Sequence, residues 1–132
     1  MSRTANLVIK LTAGLEAPER VSQAFSVASA ALASGINVSF WLTGDAAYFA
    51  VPGKAAEFEL PHAAPLADQL AALVAGARVV LCSQCAVRRN INDGDQIKGI
   101  VIEGAAAFVE EITRESTQAL VYLANYAGTI IC

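Results

Sequence analysis

The chain has 132 residues and a mass of 13.7 kDa, a length that suits one domain burying about two-thirds of its unfolded surface. Its net charge of −3 and pI near 5.0 argue against the basic face or stripe by which proteins hold nucleic acid. Hydrophobic residues make up 55%, yet 27 of them are alanine and no run reaches the roughly 18 to 20 apolar residues of a membrane helix, so a soluble protein is expected. An apolar excess in a small chain often goes into subunit interfaces, which makes a homo-oligomer the expected state. Met1-Ser2-Arg3-Thr4-Ala5-Asn6 is polar and too short for a signal peptide, so the expected location is the cytoplasm. Three cysteines are an odd count, and in a reducing compartment they read as thiols, not as a disulfide framework.

Leu7-Val8-Ile9-Lys10-Leu11 reads as a first strand, and the Thr12-Ala13-Gly14 turn leads to a helix near Pro18, a residue suited to the first helical turn. Val21, Ala24, Phe25, Ala28 and Leu32 make one apolar stripe, and Gly35 ends the helix in the left-handed conformation. Ile36 to Leu42 supplies a second strand. Thr43-Gly44-Asp45 closes it, with Asp45 read first as a helix cap and second as a catalytic acid. Tyr48, Phe49 and Phe58 are expected to pack a loop or a subunit contact. Gly53-Lys54 lacks the upstream glycine and following hydroxyl of a phosphate loop, so no nucleotide site is expected.

A loop from Glu57 to Pro65 holds His62, the only histidine, at a position expected to be solvated. Leu66, Leu70, Leu73 and Val74 then mark a helix with Gly76 at its end. Val79-Val80-Leu81 is a short β-branched-rich run of the kind a strand buried on both faces shows. Cys82 stands where that strand ends, Ser83 offers an N-cap, and Gln84 to Arg89 fill about two helical turns before Asn90. Asn92-Asp93-Gly94-Asp95 is a turn without the ligand spacing of a calcium loop. A fourth strand is expected at Gly99 to Ile102, and a helix whose apolar face is Ala105, Phe108, Val109 and Ile112, with Glu110 and Glu111 towards water. Ala119 to Leu123 reads as a fifth strand, followed by an apolar tail to Ile130-Ile131-Cys132. Strands alternating with helices make the fold class α/β, with a parallel sheet covered on both faces and right-handed crossovers.

The stretch from Arg78 to Ile91 is where an apolar run, thiols and positive charge coincide. In open α/β sheets the carboxyl edge of the strands collects reacting groups, because the loops there vary while the sheet stays rigid. Unpaired N–H groups at a helix start stabilise a thiolate over a thiol, and Arg88 or Arg89 can add a full positive charge. Cys85 falls three residues on, along the same helical face. The plainer alternative is that Cys82 is a buried small hydrophobe, since free cysteine is among the most buried residue types.

The segment Leu81-Cys82-Ser83-Gln84-Cys85-Ala86-Val87-Arg88-Arg89-Asn90-Ile91 resembles the DsrE/TusD-like (DsrE/DsrF-like) sulfur-relay family. Cys82 matches the family's sulfur-carrying cysteine. Glycine usually stands where this chain has Asn90, and asparagine keeps the turn geometry. Members of the TusD type can lack a cysteine at the position of Cys85, which leaves its role open. The resemblance covers most of the chain. It implies a five-stranded DsrE-like sheet, assembly as homotrimers or homohexamers, no cofactor, and a sulfurtransferase-like carrier that takes sulfane sulfur on Cys82 from a donor persulfide and passes it to an acceptor thiol. The site residues are then Cys82, Cys85, Arg88 and Arg89. Two other readings stay open: thiol–disulfide chemistry by Cys82-x-x-Cys85, and a non-catalytic oligomeric binding protein with an inert cysteine. A zinc site is weaker, because His62, Cys132 or a carboxylate would have to complete it without a second paired motif.

Overall fold

The structure is a computed structural model that describes residues 4–124; the tail ending in Ile130, Ile131 and Cys132 lies outside the described residues. Five strands, β1 (Asn6–Leu11), β2 (Asn37–Leu42), β3 (Arg78–Cys82), β4 (Val101–Glu103) and β5 (Thr117–Tyr122), form one sheet in the order β4-β3-β2-β1-β5. Every pairing is parallel. Helices α1 (Pro18–Ala33), α2 (Leu66–Gly76), α3 (Ser83–Arg88) and α4 (Ala105–Ile112) join them, with 3-10 segments at Gly44–Ala50 and Ala55–Glu57 after β2.

Alternation along the strands sorts their side chains between two cores. Leu7, Ile9, Leu11, Val38, Phe40, Leu42, Val79 and Leu81 face α1 and α2, where Val21, Phe25, Ala28, Leu66, Leu70 and Leu73 are buried against them. Phe25 is the hub, with its ring centroid 4.7 Å from Phe40 and 6.3 Å from Phe49. Removing so large a buried ring costs about 3–5 kcal/mol. Helix α1 starts with Pro18 in its first turn and ends at Gly35, whose φ of 82° lets the Gly35 N–H reach the Leu32 carbonyl and the Ile36 N–H the Ala31 carbonyl, both at 3.1 Å.

The opposite face is built on one row across the sheet, in which the register places Val121, Lys10, Trp41, Val80 and Val101 side by side. Helix α4 carries the chain from β4 to β5 and packs over this row. Phe108 stands edge-on to Trp41 at 5.2 Å, and Ala107 and Ile112 join the small core of Val8, Trp41 and Val80. The face of α4 that packs is therefore Ala107, Phe108, Glu111 and Ile112, rotated from the expected stripe, so that Val109 is 53% exposed. This corrects the expectation for Glu111, which is not in water but buried at 4% exposure, its Oε2 3.3 Å from Nε of Arg78. Arg78 opens β3 on the face that α4 covers, so the carboxylate meets a guanidinium there. Glu110 is exposed as expected and pairs with Arg114 at 2.9 Å.

Strand β4 is shorter and later than expected, because Gly99, with a φ of 102°, still belongs to the preceding turn. Strand β5 begins two residues earlier than expected, at Thr117. Among the described residues no helix is long and apolar enough to cross a membrane.

Candidate functional site

Cys82 is the last residue of β3 and also the N-cap position of α3, with φ −62° and ψ 124°. The expected cap, Ser83, is instead the first helical residue, because the strand runs into the helix with no loop between them. Cys82 lies on the same sheet face as Val80, is half-buried, and is a free thiol. Helix α3 is only six residues long and ends with Arg89 as its cap. Asn90 takes the left-handed conformation, with a φ of 56°. Its N–H bonds the Val87 carbonyl at 3.2 Å while the Ile91 N–H bonds the Ala86 carbonyl at 2.9 Å, a two-bond closure that turns the chain away from the site.

Cys85 sits one turn along α3, also half-buried and free. Its Sγ accepts the Gly44 N–H at 3.2 Å. Burial pushes the Cys85 thiol above the ordinary thiol range; the Gly44 N–H opposes the rise, Cys82 adds to it, and Arg89 opposes it again. Gly44 reaches this place because it has a φ of 51° and packs against the backbone of Thr12, where a Cβ would fall 2.6 Å from the Thr12 carbonyl oxygen.

Arg89 is fixed away from solvent by Asp45. Its Nη2 donates to Asp45 Oδ1 at 2.8 Å, its Nη1 donates to the Cys85 carbonyl at 3.2 Å, and its guanidinium lies 5.6 Å from the Tyr48 ring centroid. Burial works against the Arg89 charge, but Asp45 outweighs it and raises the guanidinium pKa. Asp45 thus does not cap a helix: Thr43 holds the N-cap position of the 3-10 segment, and the carboxylate orients Arg89. Arg88 takes the other direction. It is exposed and lines a cavity of about 360 Å³ together with both cysteines.

That cavity lies between the carboxyl edge of β1 to β3 and the start of α4. Cys82, Cys85, Arg88, Lys10, Trp41 and Phe108 are the parts of its wall that carry chemistry. Lys10 holds its Nζ 5.1 Å from the Phe108 ring centroid. The sequence-derived residues are therefore brought together in part: the two thiols and Arg88 share the cavity, and Arg89 backs Cys85 from behind. Lys10, Trp41 and Gly44 are additions that no local spacing signalled, since sheet register and a loop approach bring them in. A larger hollow of about 470 Å³, bordered by Arg78, Glu111 and Arg114, lies at the opposite, amino-terminal edge of the sheet and holds no cysteine. Among the described residues, no three of His, Cys, Asp or Glu are grouped to hold a metal ion, and His62 stands apart in the loop before α2.

The comparisons with known proteins agree with this fold. The YchN protein from E. coli has the same fold, with a TM-score of 0.71 and 18% identity over 92% of this chain and 100% of that one. MTH1491 from Methanobacterium thermoautotrophicum, a protein of unknown function, superposes with a TM-score of 0.69 and 12% identity over 88% of this chain and 97% of that one. No curated protein sequence gives a significant match. The family model described as DsrE/DsrF-like matches residues 5–120, from just before β1 into β5, and the chain belongs to the DsrE/DsrF-like family.

Proposed function

We propose that the protein is a sulfur carrier in which Cys82 accepts a sulfane sulfur as a persulfide and hands it to an acceptor thiol. The observation that carries this reading is the placement of Cys82: a free, half-buried thiol at the carboxyl edge of β3, opening onto a cavity whose charged wall residues are Lys10 and Arg88. A persulfide is more acidic than its thiol and is held as an anion, so cations at the wall favour the loaded form. The family membership supports the same chemistry. Loading is tested by intact-protein mass spectrometry with site mapping after exposure to a persulfide donor. The addition of one sulfur at Cys82, abolished in Cys82→Ser, is expected; a protein that gains no sulfur, or gains it elsewhere, overturns the reading.

A second reading, thiol–disulfide exchange by Cys82 and Cys85, is favoured by the placement of two free thiols in the wall of one cavity. It requires that mild oxidation joins them and that the disulfide then exchanges with external dithiols. Retention of both free thiols under an oxidant that converts dithiol enzymes would remove it.

A further inference from the structure

The wall of the cysteine cavity is selective in charge. Lys10 and Arg88 are its charged side chains, and neither has a carboxylate partner among the described residues. Glu103, which pairs with Cys82 in the sheet register, does not line the cavity and is engaged by Arg78 at 3.7 Å. Trp41 lines the cavity at 2% exposure, and its Nε1 is buried without a hydrogen-bond partner. The contact of Lys10 with the Phe108 ring satisfies its charge in part but occupies none of its N–H bonds with a lone pair. Two cations without a carboxylate partner therefore line a space of about 360 Å³, within the ~300–1,000 Å³ range of small-molecule sites. What they lack is an acceptor with negative charge.

We propose that this cavity binds a small anion bearing a sulfane sulfur, of the thiosulfonate class with thiosulfate as its inorganic member, held by Lys10 and Arg88. The proposal rests on Cys82 as the carrier and names the kind of donor that loads it. In the step, the Cys82 thiolate attacks the sulfane sulfur and a new S–S bond forms on Cys82. The bond from the sulfane sulfur to the sulfonyl sulfur breaks, and a sulfinate, or sulfite in the case of thiosulfate, leaves with that electron pair. Cys82 is left as a persulfide anion, so charge and atoms balance without a further reductant or oxidant.

Trp41 is the only tryptophan in the chain, so its emission reports on the cavity wall. Sulfate, which carries no transferable sulfur, is titrated into the Cys82→Ser variant, with chloride at equal ionic strength as the control. A saturable change in emission with sulfate but not chloride is expected, weakened about tenfold in Lys10→Met and several-fold in Arg88→Met, which lies on the exposed side of α3. No saturable change, or equal affinity in both variants, overturns the proposal. Loading is then compared in the wild-type protein with two donors, thiosulfate and a persulfide carried on a donor protein. Thiosulfate adding one sulfur to Cys82 supports the anion site. If the protein-bound persulfide loads Cys82 and thiosulfate does not, the anion site is refuted and the carrier stands; if neither loads it, both are refuted.

Discussion

At the scale of single residues, the two thiols are made unequal by what surrounds them. Both line the cavity, but Cys82 ends a strand, whereas Cys85 lies one turn along α3 and accepts the Gly44 N–H from the segment after β2. Burial raises the Cys85 thiol, and the sign of the linkage follows: the folded state holds the Cys85 proton more tightly than the unfolded chain does. The associated stability is present below the ordinary thiol pKa and is lost as pH rises through the raised one. Urea denaturation of wild type and Cys85→Ser across the alkaline range should show a steeper fall in the wild type, and parallel curves would contradict it. Glu111 makes a second residue-scale test. Its carboxylate is buried against an Arg78 that is 40% exposed, so Glu111→Ala should cost about 1–2 kcal/mol, less than a fully enclosed pair. A loss under about 0.5 kcal/mol by chemical denaturation would show that the pair adds nothing.

At the scale of elements, the site depends on how β1, β2 and α3 are brought together. Gly44 is the tightest point, since its positive φ and its contact with the Thr12 carbonyl leave no room for a Cβ. Gly44→Ala should destabilise by about 2 kcal/mol or more, adding left-handed strain to the clash. The measurement is a urea midpoint, and an unchanged value would contradict the steric reading. Asn90→Gly should be nearly neutral and Asn90→Val should cost about 1–2 kcal/mol, because α3 must end in the left-handed turn that Asn90 supplies.

The elements themselves were largely legible in the sequence. Pro18 and Gly35 bound α1, the run Val79-Val80-Leu81 marked a strand buried on both faces, and Cys82 fell at its end. The misreadings share a cause, which is that partners distant in the chain decide them. Asp45 after a glycine looks like a helix start, but the segment is a 3-10 turn and Arg89, 44 residues away, takes the carboxylate. Glu111 looks solvated beside Glu110 until Arg78 on another element is placed beneath it. Lys10 alternates along β1 like an ordinary polar strand residue, and only the row through Trp41 and Val80 brings it to the cysteine cavity.

At the scale of the whole molecule, α1 and α2 cover one sheet face while the short α4 covers the other incompletely. Val101, Val109 and Val121 are 39%, 53% and 51% exposed on that second face, at both ends of the cross-sheet row and on the helix above it. We propose that these residues belong to an interface of a homotrimer or homohexamer, the assemblies implied by the family resemblance. Multi-angle light scattering of the wild type should give one of those masses, and Val109→Glu should shift it towards smaller species. A monomer at micromolar concentration would contradict the assembly and leave the sulfur chemistry intact.

The central claim is that Cys82 holds sulfur in transit, and a chase experiment tests it most directly. The protein is loaded with isotopically heavy sulfane sulfur, freed of donor, and mixed with an excess acceptor thiol while the intact mass and the modified peptide are followed. Sulfur carriage by Cys82 requires the heavy atom to sit on Cys82 before the chase, to leave it afterwards and to appear on the acceptor, with Cys85→Ser transferring as well as the wild type. Heavy sulfur found on Cys85, or held on Cys82 and never passed on, would contradict it.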